Sequence, residues 1–536
     1  MKLKSLKTIL KISVSSVLAL SMLAGCGSSS SSQPSSGSET ASVSSAEPKH
    51  GGEITIGVTS FADTLEPTEQ YFSWVVSRYG VGECLVKFDE NGEMTPALAE
   101  SWDNSEDGLT WTFKIRQGVK FSNGDEMTPE LVKASIERTA AKSNRVAEFF
   151  DLKSIDVDGD NLIFNLNRPC ANMAGSLADP LFLIVDTNVD DSAFAMNGPI
   201  CTGPYKVESF SPTDSCVVVR NEYYWNGEVP LDKVTLKCID DQTTRSMALQ
   251  TDEIQVAYNL KTENLADFEG NDNVNIQKLE SLRSTYAFMN ENGALGDIKL
   301  RQALLRGLDK DTYCNVLLEG GATPGKAPVP PTLDFGFDEL NDENSCNPDS
   351  AKEILAEAGY KDVNNDGFVE KPDGSELNLN FVIYTSREEL NVYAQAAQAS
   401  LKEIGIKVTL NTVSYETLLD TRDSGKYDLL IWNVLVANTG DPENYLRENW
   451  YSKSANNTTG YSNPEVDSLL DELSQTFDEE ERKTIIEKIQ QDIIDDAATV
   501  FFGYETTYLF SSKSVTGVTM YPMDYYWLTK DVALTE

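Results

Sequence analysis

The sequence predicts a mixed α/β protein, because strand-like and helix-like segments alternate along most of its 536 residues without a fixed repeat. Hydrophobic residues make up 40% of the chain, which is enough to build a large buried core. Acidic residues greatly outnumber basic ones, 85 to 44, and give a net charge of -41. These observations indicate a globular, strongly acidic protein of more than one folding unit.

The predicted strands are short runs rich in β-branched and aromatic residues, each bounded by turn-forming residues. They are EITIGV at 53–58, NLIFNLN at 161–167, CVVVRN at 216–221, VTLKCI at 234–239 and LNFVIY at 379–384.

The predicted helices lie between these strands and have clear start and stop signals. One helix begins at Thr128 and Pro129, which supply an N-cap and a first-turn proline. A second begins at Asn347 and ends at Gly359, and a third has an apolar stripe within 393–404. Their apolar faces are predicted to pack against the sheet.

The N-terminus has the pattern of an exported and anchored protein. Lysines precede an apolar run at about 12–23, which is typical of a secretory signal peptide at 1–25 and too short to span a membrane. The run ends in Leu-Ala-Gly-Cys26, which resembles the lipobox of bacterial lipoproteins. The sequence therefore predicts lipidation of Cys26, a flexible serine-rich tether at 26–50, and a location on the extracytoplasmic face of the cell membrane.

Composition also excludes several functions. The negative charge disfavours nucleic acid as a partner. The single histidine, His50, excludes sites that need two imidazoles, and we predict no catalytic residue. Seven cysteines follow Cys26 without a CxxC pair, so a zinc ribbon is not expected.

One segment has part of a calcium-binding pattern. Asp362, Asn364 and Asp366 occupy the first, third and fifth positions of such a loop, and Gly367 occupies the sixth. The twelfth position is Asp373, which is shorter than the usual glutamate. A structural calcium ion and a solvated turn both remain open, and no other cofactor is predicted.

From Gly51 to about 532, the chain resembles the family 5 extracellular solute-binding proteins of ABC importers, which include oligopeptide-, dipeptide- and nickel-binding proteins. The longest matching segment covers 82–125, from GECLVKFDENG to KFSNGD. Further matches follow in the family's order: GPICTGPYKVESF at 198–210, VRNEYYW at 219–225, KLRQALLRGLDK at 299–310, AEAGY at 356–360, YDLLIWN at 427–433 and GDPENYL at 440–446. Cys201 stands where the family usually has glycine.

The resemblance implies a two-lobe, periplasmic-binding-protein-like fold with two crossover strands. The first lobe would contain 51–290, with an inserted subdomain at about 90–198, and 498–536 would return to it; the second would contain 291–497. The implied function is capture of a peptide or other small polar solute between the lobes, as a monomer, and its delivery to a membrane permease that works with cytosolic ATPase subunits.

The resemblance also suggests charged ligand anchors. Asn438 replaces the aspartate that pairs with a ligand ammonium in the dipeptide branch. Asp441, in the same motif, is a candidate substitute, although the family motif implies that it organises the loop instead. Arg145 matches an arginine that meets the chelator's carboxylate in the nickel branch, although Glu148 replaces its usual tryptophan neighbour.

The remaining candidates for the ligand site are Arg387, a second partner for a ligand carboxylate, and Trp74 and Trp432, which would form apolar walls. The missing charge at Asn438 predicts longer peptides, blocked peptides or non-peptide solutes as ligands. Two alternatives from other classes are a secreted acidic, glycosidase-like hydrolase and a surface receptor that signals without transport.

Overall fold

The structure is a computed structural model that describes residues 48–59, 62–384 and 387–535. The predicted signal peptide, Cys26 and nearly all of the predicted tether lie outside the described residues. The strands are β1 Pro48–Lys49, β2 Glu53–Val58, β3 Val86–Phe88, β4 Met94–Pro96, β5 Ala99–Asn104, β6 Thr110–Ile115, β7 Leu152–Asp158, β8 Asn161–Leu166, β9 Tyr205–Ser211, β10 Ser215–Arg220, β11 Lys233–Cys238, β12 Val256–Leu260, β13 Val274–Met289, β14 Ala322–Pro324, β15 Asn378–Tyr384, β16 Lys407–Val413, β17 Leu429–Leu435, β18 Thr499–Ser512, β19 Val515–Thr516 and β20 Ala533–Thr535.

The α-helices are α1 Phe72–Arg78, α2 Pro129–Lys142, α3 Val146–Phe149, α4 Met173–Ser176, α5 Phe194–Asn197, α6 Gln242–Gln250, α7 Ile298–Arg306, α8 Lys310–Thr312, α9 Pro348–Glu357, α10 Glu388–Glu403, α11 Tyr415–Asp423, α12 Glu443–Trp450, α13 Pro464–Leu473 and α14 Glu479–Asp495. Short 3-10 turns lie at Pro180–Phe182, Asp191–Ala193, Thr262–Phe268, Ala294–Gly296 and Phe337–Glu339, and a π-helical turn lies at Tyr313–Leu317.

One large mixed sheet runs through the molecule in the order β16-β15-β17-β13-β18-β12-β2-β11-β10-β9, and β14 pairs with β18 beside this path. We call the part around β15, β16 and β17 the second lobe, and the part around β2 and β9 to β12 the first lobe. Strands β15–β16 and β2–β11 pair in parallel, whereas the centre of the sheet is antiparallel. Both lobes are therefore built on one continuous sheet.

The two lobes share the long strands β13 and β18. Residues 274–280 of β13 pair with the distal part of β18. Residues 283–289 pair with β17, and residues 284–288 also pair with the start of β18. The pairing of β13 and β18 has register shifts between Glu280 and Ser284 and between Thr285 and Tyr286. Such irregularities increase local twist, and here they lie where the sheet passes from one lobe to the other.

A separate four-stranded sheet, in the order β5-β6-β8-β7, lies within the range predicted for an inserted subdomain. Its buried face, with Trp111, Phe113 and Phe164, packs in one hydrophobic cluster with Trp74 of α1 and with Tyr525. The assignment of this sheet to the first lobe stays a prediction. The exact predicted lobe boundaries stay predictions.

Local signals in the sequence explain the start of the main helices. The side chain of Thr128 accepts a hydrogen bond from the Leu131 amide at the start of α2, and that of Asn347 accepts one from the Ser350 amide at the start of α9. The five predicted strands are all present, with ends within one residue of the prediction. The predicted mixed α/β class is confirmed.

The calcium-like loop is held together by its own hydrogen bonds. The Asp362 carboxylate accepts from the amides of Asn365, Asp366 and Gly367, and the Asp366 carboxylate accepts from the Phe368 amide. No group of three His, Cys, Asp or Glu side chains in the described part of the chain is arranged to hold a metal ion. Calcium at this loop stays a prediction, which a higher melting temperature in millimolar calcium would support.

The lobes meet through a close backbone contact beside Gly175 of α4. A Cβ atom at this position would lie 2.1 Å from the Thr439 carbonyl oxygen and 2.4 Å from Oδ1 of Asn172. The Asn172 amide also donates to Oγ1 of Thr439 at 2.7 Å. Only glycine allows the segment after β17 to approach the first lobe this closely.

We therefore predict that Gly175→Ala forces the lobes apart and lowers the free energy of unfolding by about 1–3 kcal/mol, the usual cost of overpacking. Urea unfolding measures the loss, and small-angle scattering measures the expansion. Gly293→Ala is the matched control, since its Cβ would make an ordinary 3.5 Å contact with Oδ1 of Asp428. Equal stability and equal radius in the two variants would contradict this account of the contact.

Candidate ligand-binding site between the lobes

A cavity of about 240 Å³ lies between the lobes. Its walls come from α1 and α3 in the first lobe, from α11, β17 and α12 in the second, and from the shared strand β13. The lining residues are Gln70, Tyr71, Trp74, Arg145, Glu148, Phe149, Tyr286, Tyr415, Leu419, Arg422, Trp432, Val434, Leu435, Asn438, Asn444, Tyr445, Glu448, Asn449 and Asn456. The lining is aromatic, with charged groups of both signs and several amides.

Four of the six predicted ligand residues share this cavity. Trp74 and Arg145 enter from the first lobe, and Trp432 and Asn438 enter from the second. Arg387 lines a different cavity, described below. These positions are far apart in sequence, and the fold brings them together.

Asp441 is not among the residues that line the cavity. Its Oδ1 accepts from the Glu443 amide at 2.8 Å, and its Oδ2 accepts from Nε of Arg482 at 3.0 Å. Nη2 of Arg482 also reaches Oε2 of Glu443 at 2.9 Å. Asp441 therefore lies outside this cavity, and its contacts fit the loop-organising role that the family motif implies: its carboxylate stabilises the start of α12.

Arg145 is held over an aromatic ring. Its guanidinium carbon lies 3.9 Å from the centre of the Tyr71 ring, within the range of a cation–π contact. Nη1 donates to the Gln70 carbonyl at 2.8 Å, and Nε lies 3.3 Å from Oε2 of Glu148. The guanidinium is thus fixed in orientation at the cavity wall.

The cavity wall contains two carboxylates, those of Glu148 and Glu448, and the charge of Glu448 affects the pKa of Glu148. Burial is the main cause that raises the pKa of Glu148 to about 7; Arg145 opposes this shift, and the neighbouring Glu448 adds to it. Burial also raises the pKa of Glu448, whereas Arg422 and Arg145 lower it. Each lobe therefore brings one arginine and one glutamate, and the four groups balance in formal charge.

Asn438 contacts a buried carboxylate of the first lobe. Its Nδ2 donates to Oδ2 of Asp179 at 3.1 Å, and the Tyr525 hydroxyl donates to the same oxygen at 3.1 Å. The other oxygen of Asp179 accepts from the Leu181 amide at 2.9 Å. An aspartate at position 438 would place a second carboxylate beside that of Asp179, and the two negative charges would repel each other. The neutral amide of Asn438 avoids this repulsion and donates a hydrogen bond instead. Asp179 already accepts three hydrogen bonds from the protein and is not among the residues that line the cavity, so it is a poor substitute for the missing ligand anchor.

The buried donors in the cavity wall that have no hydrogen-bond partner among the described residues include Nε1 of Trp74 and Nδ2 of Asn444. An unsatisfied buried donor costs free energy, and a ligand acceptor would remove that cost. Trp74 was predicted from its aromatic cluster. Asn444, Glu448 and Arg422 were not, because single polar residues on helices give no sequence signal of a shared cavity.

A cavity between two lobes that share crossover strands is the arrangement of a two-lobe ligand-binding protein. The family model of bacterial extracellular solute-binding proteins, family 5, matches residues 93–457, and the chain belongs to this family.

Named relatives of this chain bind different solutes. The chain is 29% identical to the glutathione-binding protein GsiB of Pectobacterium atrosepticum over 474 residues, 84% of this chain and 88% of the relative. It is similar to the oligopeptide-binding protein AppA of Bacillus subtilis in complex with a nonapeptide, with 25% identity, a TM-score of 0.79, and 91% and 100% of the two chains covered. A nickel ABC transporter protein from Bacillus halodurans has 29% identity, a TM-score of 0.71 and the same coverage. The predicted two-lobe fold is confirmed.

None of the helices in the described residues combines the length and hydropathy needed to cross a bilayer.

The cluster of Arg482, Asp441 and Glu443 yields a stability prediction. The side chain of Arg482 is only 8% exposed, and that of Glu443 is also 8% exposed. We predict that Arg482→Met lowers the free energy of unfolding by about 3–5 kcal/mol, since it leaves two poorly solvated carboxylates without their cation. Urea unfolding is the measurement.

The neighbouring Lys483→Met is the control. Its ion pair with Asp334 is solvent-exposed, so its loss is expected to cost less than about 1 kcal/mol. A similar cost for both variants would show that the Arg482 cluster does not stabilise α12.

Proposed function

We propose that this protein is the substrate-binding subunit of an ABC importer, which encloses a peptide or another small polar solute and delivers it to a membrane permease. The observation that carries the proposal is the 240 Å³ cavity whose lining comes from both lobes. A ligand that contacts both walls stabilises the closed form, which is the form a permease would recognise. Relatives named for glutathione, oligopeptides and nickel support the same class of function.

The lining favours a polar ligand with charges of both signs. Arg145 and Arg422 supply cations, and Glu148 and Glu448 supply anions. Aromatic rings such as those of Tyr71 and Trp432 supply walls that accept varied apolar groups. Peptides combine charged ends, backbone donors and acceptors, and variable side chains, so they fit this combination well. We propose binding without catalysis.

The membrane anchor belongs to the same proposal. Lipidation of Cys26 and a tether at 26–50 would keep the lobes beside the permease on the extracytoplasmic face. The permease, the ATPase subunits, the monomeric state and the anchor are expectations supported by the signal sequence and by the family.

The ligand class can be tested at Asn438. The amide cannot neutralise an ammonium, and Asp179 behind it already accepts three hydrogen bonds and does not line the cavity. We therefore predict that matched peptides with free and acetylated N-termini bind with affinities within about tenfold, or ~1.4 kcal/mol, of each other. Calorimetry on the full chain is the measurement, preceded by mass spectrometry of any copurifying molecule to choose the peptide length.

Asn438→Asp is the matched variant for this test. It restores the acid of the dipeptide branch and is expected to increase the preference for the free amine, at a cost in stability because Asp179 lies 3.1 Å away. A preference of more than about tenfold for the free amine in the wild type would overturn the argument from Asn438. If neither form of any peptide binds, the peptide class is wrong, and the copurifying molecule identifies the solute.

The anchor is tested separately. Cys26→Ser removes the sulfur that would carry the lipid, so we predict that the variant protein is released into the medium while the wild type stays with the membrane fraction. Fractionation and labelling with a radioactive fatty acid measure the two effects. Equal membrane retention and equal labelling would show that Cys26 is not the anchor.

A further inference from the structure

A second and larger cavity of about 530 Å³ borders the shared strands. It is lined by Thr59, Arg78, Asp240, Gln242, Arg245, Tyr258, Asn259, Leu260, Lys261, Leu279, Ser281, Arg283, Arg387, Glu505, Thr506, Thr507, Met520, Tyr521, Pro522, Asp524, Tyr526 and Trp527. Among the described lining residues, five are basic and three are acidic. This excess of positive charge is unusual in a chain with a net charge of -41.

Two of these cations are compensated by glutamates. Nζ of Lys261 lies 2.9 Å from Oε2 of Glu389, and Nη1 of Arg387 lies 3.5 Å from Oε1 of Glu389 and 4.0 Å from Oε2 of Glu505. Glu505 also accepts from Thr285 at 2.6 Å. Lys261 and Arg387 are therefore balanced by Glu389 and Glu505.

Two further cations are engaged by the protein itself. Nη2 of Arg78 lies 2.6 Å from Oδ2 of Asp524, and the guanidinium stacks over the Trp527 ring at 4.6 Å. Arg245 donates to main-chain carbonyls, including those of Tyr258 at 3.0 Å and Asn259 at 2.9 Å. Arg78 is thus paired, and Arg245 holds the end of β12.

Arg283, the fifth cation of the second cavity, differs from the other four in its partners. Its side-chain hydrogen bond is from Nη1 to the neutral Oδ1 of Asn433 at 3.1 Å, and among the described side chains no carboxylate lies within ion-pair distance of its guanidinium. Burial and the nearby Arg387 lower the pKa of Arg283 to about 10. Arg283 is half-buried. A charged group that is partly removed from water and has no ion-paired counterion is costly, and a bound anion would offset that cost.

Arg283 also lies close to the first cavity. Arg283 of β13 is the direct cross-strand partner of Leu435 of β17, and Leu435 lines the first cavity. A solute that extends from the first cavity would therefore bring its far end toward Arg283.

We propose that Arg283 is the centre of an anion subsite in the second cavity, which binds a carboxylate or phosphate-type group of the transported solute. The planar guanidinium presents paired donors that match the oxygens of both kinds of anion. This inference rests on the proposed function, since it assigns one end of the solute, and it adds a residue that the sequence did not indicate.

The test uses small anions on the full chain, freed of copurifying solute. Acetate, phosphate and sulfate are titrated at constant ionic strength set with sodium chloride, and binding is followed by calorimetry and by melting temperature. We expect at least one anion to bind saturably in the millimolar range to the wild type, and Arg283→Gln to weaken it about tenfold or more, ~1.4 kcal/mol. The anion that binds best separates a carboxylate subsite from a phosphate-type subsite.

Arg220→Gln is the matched control, because Arg220 pairs with Asp232 outside both cavities and its side chain is 36% exposed. Its anion affinity is expected to equal that of the wild type. Ser281→Asp is a second variant for the case in which Arg283→Gln does not fold. It places a carboxylate in the cavity two residues from Arg283 and is expected to weaken anion binding by a similar factor.

Two results would overturn the proposal: no saturable binding of any of the three anions to the wild type, or affinities unchanged in both Arg283→Gln and Ser281→Asp. Because the probes are small anions, neither result depends on peptide binding or on the permease. If peptides fail to bind in the earlier test while anion binding depends on Arg283, the subsite stands and the peptide class falls.

Discussion

The pairing of β13 with β18 is the interaction on which the rest of the structure depends. These two strands are hydrogen-bonded over most of their length and are joined by β17 on one side and β12 on the other. Each lobe is built outward from this pair, and both cavities border it: Tyr286 of β13 lines the first, and Arg283 lines the second. A slip in the register of β13 against β18 would move both side chains. The same strand pairing therefore determines both the fold and the positions of the cavity residues.

Charge balance explains why the cavities differ. In the first cavity each lobe supplies an arginine and a glutamate, so a ligand meets both signs. At Asn438 the amide is the group that tolerates the buried Asp179 beside it, which accounts for the loss of an acid there. In the second cavity Arg78, Lys261 and Arg387 have ion pairs, and Arg245 is satisfied by main-chain carbonyls. Arg283 has neither kind of partner among the described residues and donates to the neutral Asn433. Charged groups that already have partners in the protein contribute little to ligand selection, whereas those without partners favour a ligand of opposite charge.

The sequence predicted secondary-structure elements better than it predicted the side-chain contacts between them. Strands such as β2 and β15 could be located from residue type and turn signals, and α2 and α9 from Thr128 and Asn347, because those signals are local. The resemblance indicated Arg145 and Asn438. It could not indicate that Arg482 engages Asp441, or that Arg283 lacks an acidic partner. Such facts depend on side chains far apart in sequence, and only the packed structure brings them within reach.

The double crossover has a mechanical consequence. A single flexible linker between two bodies leaves them free to twist as well as to bend, whereas two hydrogen-bonded strands side by side resist twisting and leave bending as the softest motion. The register shifts at Glu280–Ser284 and Thr285–Tyr286 place the weakest part of this ribbon between the lobes. The lobes are therefore expected to open by bending about these two strands. The solute would then enter and leave through the same opening of the cleft.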